Sequence, residues 1–243
     1  MTIDFDQLKA VLVTRDRLRA AINYGNPVLA QRSGNGEPGG VSVALARELA
    51  QGMGVELEFV PFETAGKVVD AASHDVWDVA FLAIDPKRAE DIAFTSPYVL
   101  IEGTYLVRKN GPYSDISQLD APGVRIAVGK GAAYDLYLSR SLQHAELVRG
   151  PTSASAIELF LEQNLDAAAG VRQPLEAAAK DHAGLEVLPG HFTAIRQAMA
   201  VPAGKAAAQV DLQAFIEAMK ASGFVAQALR ESGQQENLVA PAA

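Results

Sequence analysis

Cysteine is absent from the 243-residue chain, which excludes disulfide bonds, thiolate catalysis and zinc–cysteine sites. No apolar run approaches the roughly 20 residues that a membrane-spanning helix needs. The net charge is −8, and the sequence contains no cluster of Lys and Arg. Binding of nucleic-acid phosphates needs a basic face. We therefore expect neither a nucleic-acid partner nor direct insertion into a membrane.

Signals of catalysis or metal binding are equally scarce. The histidines His74, His144, His182 and His191 are dispersed and lack the spacing of metal ligands. No Ser/His/Asp arrangement can be recognised from spacing, and no nucleophile elbow is present. The sequence therefore predicts no catalytic residue, no metal and no cofactor.

Short apolar strands alternate with amphipathic helices along the chain, which predicts an α/β protein. Hydrophobic residues make up 49% and charged residues 21%, as in soluble globular proteins. A helix is predicted over Val41–Met53 with its end at Gly54, and further helices over 206–221 and 224–232. Strands are predicted over 18–22, 77–83, 104–108, 124–128 and 165–169. This length suits one large domain or two lobes.

Arg88 follows a predicted buried strand, Trp77-Asp-Val-Ala-Phe-Leu-Ala83, after a short polar turn. Ligands of open α/β sheets bind just beyond the carboxyl ends of strands, and the planar fork of a guanidinium group suits a carboxylate. The alternative is a solvated arginine paired with Glu90 or Asp91, since exposed ion pairs are common and weak.

The run Phe81-Leu-Ala-Ile-Asp-Pro-Lys-Arg88, with the following Ala89-Glu-Asp-Ile-Ala-Phe-Thr-Ser-Pro-Tyr98, resembles a signature of family 3 bacterial solute-binding proteins. Members of that family bind mainly amino acids for ABC import, and the matching arginine holds the α-carboxylate of the ligand. The resemblance implies this role for Arg88, helped by backbone N–H groups near Ala83 and Asp85.

The same resemblance extends over nearly the whole chain and implies the two-lobed type II periplasmic-binding-protein fold, with a mixed sheet and flanking helices in each lobe. Residues 1–106 and 199–243 would form lobe 1, and residues 107–198 would form lobe 2, with the ligand cleft between them. The chain would pass from one lobe to the other near Leu106–Lys109 and near Ala198–Val201. Strand–helix alternation alone would equally fit a doubly wound single domain.

A second candidate site is the turn Gly129-Lys-Gly131, which precedes a predicted helix. Glycines allow close approach of the backbone, and a helix N-terminus attracts anions. A plain strand-to-helix turn is the alternative. The turn is similar to a Gly-Thr-Thr/Ser turn of the family, but Ala132 and Ala133 replace the hydroxyl residues, so only N–H donation would remain.

The chain departs from the family where an amino acid would be recognised. Asn26 and Ala65 stand roughly where aromatic residues enclose the ligand, and Ala83 stands in place of a serine or threonine. The run Gly170-Val-Arg-Gln-Pro174 lacks the acidic residue that pairs with the α-ammonium group. An unpaired buried ammonium is costly, so we expect a ligand other than an ordinary α-amino acid.

Amide and guanidinium groups suit a neutral polar ligand or a second carboxylate better than an amine. Further ligand contacts are therefore predicted for Asn23, Asn26, Gln173, Arg172, Gln197 and Tyr134. Loop Asn and Gln are, alternatively, often solvated turn formers. Glu102 could supply the missing negative charge or could be a surface residue, and Phe62 and Trp77 are expected to pack in the core.

We expect a solute-binding protein for a small carboxylate-bearing molecule, with an ABC permease as a possible partner. The alternatives are a ligand sensor and a cytoplasmic enzyme, for which Glu102 or His191 would be the acid or base. Family members are periplasmic after removal of a signal peptide, whereas the start at Met1 shows no export signal and favours a cytoplasmic protein.

Overall fold

The computed structural model describes residues 3–13, 16–34 and 36–243. In this part of the chain the helices, in order, are α1 (Phe5–Leu12), α2 (Val41–Met53), α3 (Ala65–Asp70), α4 (Ala133–Ser141), α5 (Ser153–Glu162), α6 (Arg172–Asp181), α7 (Gln209–Ala221) and α8 (Phe224–Glu231). No helix of the described residues is both long and apolar enough for a transmembrane segment.

The strands of the same residues are β1 (Arg17–Asn23), β2 (Gln31–Arg32), β3 (Pro38–Gly39), β4 (Glu56–Phe62), β5 (Val79–Ala83), β6 (Ile92–Arg108), β7 (Arg125–Gly129), β8 (Glu146–Gly150), β9 (Ala167–Val171), β10 (Leu185–Val187) and β11 (Thr193–Pro202). The predicted strand–helix alternation is confirmed. The strand predicted over 104–108 was too short, because β6 already begins at Ile92.

The chain divides into two compact units. Unit 1 contains residues 1–100 and 196–243, and unit 2 contains residues 101–195. The sequence analysis expected the chain to pass between the lobes near 106–109 and near 198–201, a few residues after these unit boundaries. Residues 103–106 belong to unit 2 because they pair antiparallel with residues 168–171 of β9.

Unit 1 contains a mixed sheet. Strand β1 is parallel to both β4 and β5, and β5 is antiparallel to β11. Helix α2 ends as the sequence predicts, because Gly54 adopts the left-handed conformation and closes the C-terminus. Trp77 is buried in a core cluster against which Phe62 packs, so the core assignment of both aromatic residues is confirmed.

The strands of unit 2 also pair in both orientations. Strand β7 is parallel to β8 and β9, whereas β6 is antiparallel to β9 and β10. The run Gly170–Pro174 does not form a loop, because β9 continues to Val171 and α6 begins at Arg172. Pro174 lies in the first helical turn, where its missing N–H group costs no intrahelical hydrogen bond.

A buried charge cluster in unit 1 joins the start of the sheet to the segment before α7. The Asp78 carboxylate, which is 0% exposed, accepts hydrogen bonds from Arg19 Nε at 3.0 Å and Nη2 at 2.7 Å, and it also contacts Lys205 Nζ. The hydrogen bond to Asp78 is the main cause that raises the pKa of Arg19. Two cations thus share one buried carboxylate.

The turn between β7 and α4 in unit 2 is held by a buried tyrosine. The Tyr134 hydroxyl donates to Ser153 Oγ at 2.9 Å and accepts the Gly129 N–H group at 3.3 Å. A Cβ atom at Gly129 would lie 2.8 Å from the Ser153 backbone nitrogen, so the turn requires glycine at this close approach. Burial raises the pKa of Tyr134, which therefore stays a neutral donor.

We expect Asp78→Asn to lower the free energy of unfolding by about 3 kcal/mol, because it leaves two cations without their buried counter-charge. Urea denaturation measures the loss. The matched control is Glu58→Gln, which removes an exposed ion pair to Arg17 and should cost less than about 1 kcal/mol. Equal effects of the two substitutions would contradict a structural role for Asp78.

We expect Tyr134→Phe to lower the free energy of unfolding by about 1 kcal/mol, the net value of an ordinary hydrogen bond. Tyr137→Phe is the control, because the Tyr137 hydroxyl makes no hydrogen bond to any other described residue. Urea denaturation of both variants tests the difference, and an unchanged Tyr134→Phe variant would show that the hydroxyl does not hold the turn.

Candidate functional site

Polar groups collect at the carboxyl edge of the unit 1 sheet. Strands β1 and β5 are parallel neighbours, so Asn23 and Ala83 end at the same edge. Arg88 begins a short 3-10 turn soon after β5. This edge is the usual place for ligands in open α/β sheets.

Arg88 is a buried cation at this edge, with 2% of its surface exposed. Its Nη1 atom donates to the Ala83 carbonyl oxygen at 3.0 Å. Burial lowers the pKa of Arg88 to about 10, while the nearby Asp85 carboxylate opposes that shift. The group remains charged at neutral pH, and the exposed, solvated arginine of the alternative interpretation is excluded. A buried guanidinium has five N–H donors in a fixed fork, which suits an anionic group.

Asp85 builds the turn that carries Arg88. Its side chain accepts the Lys87 N–H group at 2.9 Å, and its carbonyl oxygen accepts the Ala89 N–H group at 3.0 Å. The adjacent Ile84 N–H group donates to the Arg196 carbonyl oxygen at 2.8 Å, one residue beyond the pairing of β5 with β11. The turn is therefore hydrogen-bonded to the end of the sheet.

Three amide side chains lie along the same unit. Asn23 Oδ1 accepts the Gly25 N–H group at 3.0 Å, and Asn26 Oδ1 accepts the Val28 N–H group at 3.3 Å, so both asparagines form local turns. Gln197 lies opposite Ala83 in the β5–β11 ladder and is only 4% exposed. Within residues 3–13, 16–34 and 36–243 its side chain makes no hydrogen bond.

Unit 2 has its own polar edge, where the parallel strands β7 and β9 end at Gly129 and Val171. The Gly131 N–H group donates to Asp135 Oδ2 at 2.9 Å, and the Ala132 N–H group donates to the Gly129 carbonyl oxygen at 3.1 Å. These two predicted donors are thus used inside the turn. The N–H group of Ala133, the first residue of α4, makes no hydrogen bond among the described residues.

Glu102, Arg172 and His191 form a cluster at this unit 2 edge. One carboxylate oxygen of Glu102 accepts from Arg172 Nε, and the other lies 3.2 Å from His191 Nδ1. Arg172 also donates to the Gly190 carbonyl oxygen and lies 3.7 Å from Glu176. Both carboxylate oxygens and all three guanidinium nitrogens therefore face protein groups.

Gln173 is the next residue of α6 and is partly buried. Its Oε1 atom is buried and has no hydrogen-bond donor among the described residues. A buried acceptor without a donor costs about 1–3 kcal/mol, so such atoms are rare in folded proteins.

Sequence reasoning missed two groups that shape the unit 2 edge, Asp135 and Ser153. Asp135 is 4% exposed and binds Arg149 Nε at 3.0 Å in addition to Gly131. Its place in the first turn of α4, four residues after Gly131, is a signal that could have identified it. Ser153 carried no comparable signal, because only the pairing of β7 with β8 brings α5 to the turn.

Comparisons with known proteins agree with this architecture. Residues 18–234 match the family model of bacterial extracellular solute-binding proteins, family 3. A crystal structure of a solute receptor for L-cysteine from Neisseria gonorrhoeae superposes with a TM-score of 0.79 and 25% identity, covering 93% of this chain and 92% of the receptor. A mutant of ArgBP from T. maritima gives a TM-score of 0.78 at 21% identity and covers 94% and 98% of the two chains.

A cyclohexadienyl dehydratase of Pseudomonas aeruginosa is 25% identical over 145 residues. That alignment covers 58% of this chain and 54% of the enzyme, so the chain spans about half the length of this curated relative. The α/β fold of type II periplasmic binding proteins is thus confirmed. Since the family model matches most of the sequence, the chain belongs to the bacterial extracellular solute-binding proteins, family 3.

Proposed function

We propose that the protein binds a small carboxylate-bearing molecule, either an amino-acid-like compound or an organic acid, as the solute-binding component of an ABC importer. The observation that carries this proposal is the buried, charged guanidinium group of Arg88 at the carboxyl edge of the unit 1 sheet. The family name supports solute binding outside the cytoplasmic membrane. The relatives include a receptor for L-cysteine.

The electrostatics of Arg88 favour an anion. Burial destabilises its charged form, as the lowered pKa indicates, and a nearby negative charge relieves that destabilisation. Asp85 provides part of the relief. A ligand carboxylate would provide more, through two parallel charge-assisted hydrogen bonds that an ammonium or a neutral group cannot form.

We expect Arg88→Ala to weaken binding of carboxylates by about 2 kcal/mol, the scale of a hydrogen bond to a charged group. Arg88→Lys should lose less, because it keeps the charge but not the planar fork. The measurement is calorimetric titration with the acids that raise the melting temperature in a screen of amino acids, dicarboxylates, keto acids and hydroxy acids.

Lys87→Ala is the matched control, since it removes a cation from the same turn at an exposed position. It should leave affinity nearly unchanged. Wild-type affinity in folded Arg88→Ala and Arg88→Lys variants would refute the role of Arg88.

A second candidate function is acid–base catalysis on an organic acid. The contact between Glu102 and His191 Nδ1 at 3.2 Å favours it, because a carboxylate that orients an imidazole is a common general-base arrangement. The dehydratase relative also keeps this candidate open.

For the binding function we expect each bound acid to be recovered unchanged after prolonged incubation, as measured by mass spectrometry. Formation of a dehydrated product by the wild type, with its loss in Glu102→Gln and His191→Asn while binding persists, would favour the catalytic function instead.

A further inference from the structure

We infer that residues 236–243 form a strap that detaches from unit 1 while the rest of that unit stays folded, and that Lys220 is the latch that holds the strap in place. The strap contacts the first half of β6 and helix α7. Strap, latch and docking surface all belong to unit 1, so the inference is independent of the proposed binding function.

The Lys220 ammonium group has one acceptor for each of its three N–H donors. Its Nζ atom lies 2.8 Å from Glu217 Oε1, 3.2 Å from the Pro97 carbonyl oxygen and 2.9 Å from the Pro241 carbonyl oxygen. The lysine side chain is only 5% exposed. Of the three acceptors, only the Pro241 carbonyl belongs to the strap. Because hydrogen bonds from a charged donor are stronger than those between neutral groups, this contact is the latch.

The backbone pairing of the strap is short. Val239 forms an isolated antiparallel bridge with Val99. The Ala240 N–H group donates to the Tyr98 carbonyl oxygen at 3.0 Å. Ala240 is 3% exposed, whereas the first two and the last three residues of the strap are exposed. A segment with few buried apolar contacts opens at a lower free energy than the whole domain unfolds.

Two further contacts of the strap lie at the surface. The Ala243 N–H group donates to Glu217 Oε2 at 3.3 Å. Glu236 forms an ion pair with Arg230 at 2.6 Å, and both of these side chains are more than half exposed. Exposed ion pairs contribute little to stability. The strap is therefore held mainly by the latch and by the short backbone pairing.

The docking surface is held together without the strap. Ser96 of β6 donates through its hydroxyl group to Glu217 Oε1 and through its backbone N–H group to Gln213 Oε1. Gln213 Nε2 donates in turn to Ser96 Oγ at 2.6 Å and to Glu217 Oε1 at 3.1 Å. These bonds join β6 to α7 directly, so they persist when the strap leaves. Detachment therefore does not require the core of unit 1 to open.

The position of the strap gives detachment a structural consequence. Tyr98 and Val99 directly precede Leu100, the residue at which the chain leaves unit 1 for unit 2. When the strap is docked, the Tyr98 carbonyl oxygen accepts the Ala240 N–H group, and detachment removes that donor. The strap thus controls the local order of the stretch of β6 through which the chain leaves unit 1.

Hydrogen–deuterium exchange of the full chain, measured by mass spectrometry, tests the inference. In the wild type we expect the amides of the strap to exchange at least about tenfold faster than those of β5, because only the latter need a large opening. Lys220→Met keeps an apolar stem and removes all three donors. It should speed exchange of the strap by a further factor of about ten, the effect of losing one charge-assisted hydrogen bond, and leave β5 and α2 unchanged.

A second variant acts on the strap without altering α7. Ala240→Pro removes the N–H group that bonds to Tyr98, so it should speed exchange of the strap and of residues 98–100 while β5 and α2 stay protected. Lys9→Met, at an exposed lysine of α1 in the same unit, is the matched control for Lys220→Met and should change none of these rates.

The inference is overturned if the strap of the wild type exchanges as slowly as β5, or if neither Lys220→Met nor Ala240→Pro speeds its exchange. Should Lys220→Met speed exchange throughout unit 1, the second variant decides. An effect of Ala240→Pro confined to the strap and residues 98–100 supports detachment, and an effect that spreads over β5 and α2 refutes it.

Discussion

Parallel pairing of neighbouring strands places the polar groups of each unit at one sheet edge. In unit 1, β1 and β5 run in the same direction, so the loops that follow Asn23 and Ala83 leave from the same end. In unit 2, β7 and β9 do the same for the turn after Gly129 and for the start of α6. A loop that is anchored at a strand end has little freedom, because the ladder hydrogen bonds fix its first residue. The chemistry of both edges depends on this constraint.

The arginines at the two edges have different surroundings, and the difference lies in the neighbouring hydrogen-bond acceptors. Arg88 is buried, donates to the Ala83 carbonyl oxygen and lies near the Asp85 carboxylate, and burial lowers its pKa. Arg172 is engaged by Glu102, Glu176 and the Gly190 carbonyl oxygen. The sequence offers both residues as cations after a strand. Only the tertiary structure shows that Arg172 is a partner of protein carboxylates and that Arg88 is buried at the end of a strand.

Patterns that are local in the sequence were recognised correctly. Helix α2 ends at Gly54 because glycine adopts the left-handed conformation without strain, and the apolar run at 79–83 forms the buried strand β5. Features that depend on long-range pairing were not recognised. Strand β6 is longer than expected because its pairing involves residues that are distant in sequence. The family match over residues 18–234 agrees with the resemblance inferred from residues 81–98.

The sequence by itself determined the α/β class, the family and the place of Arg88 after a strand, since each depends on residues that are neighbours in the chain. Tertiary structure decided which polar groups are already paired. The Gly131 N–H group is taken by Asp135, and both oxygens of Glu102 face Arg172 and His191, whereas Gln173 Oε1 is left without a donor. These partners are up to 89 residues apart in sequence, as Glu102 and His191 are. A hydrogen bond depends on distances of a few ångströms, which only the folded chain sets.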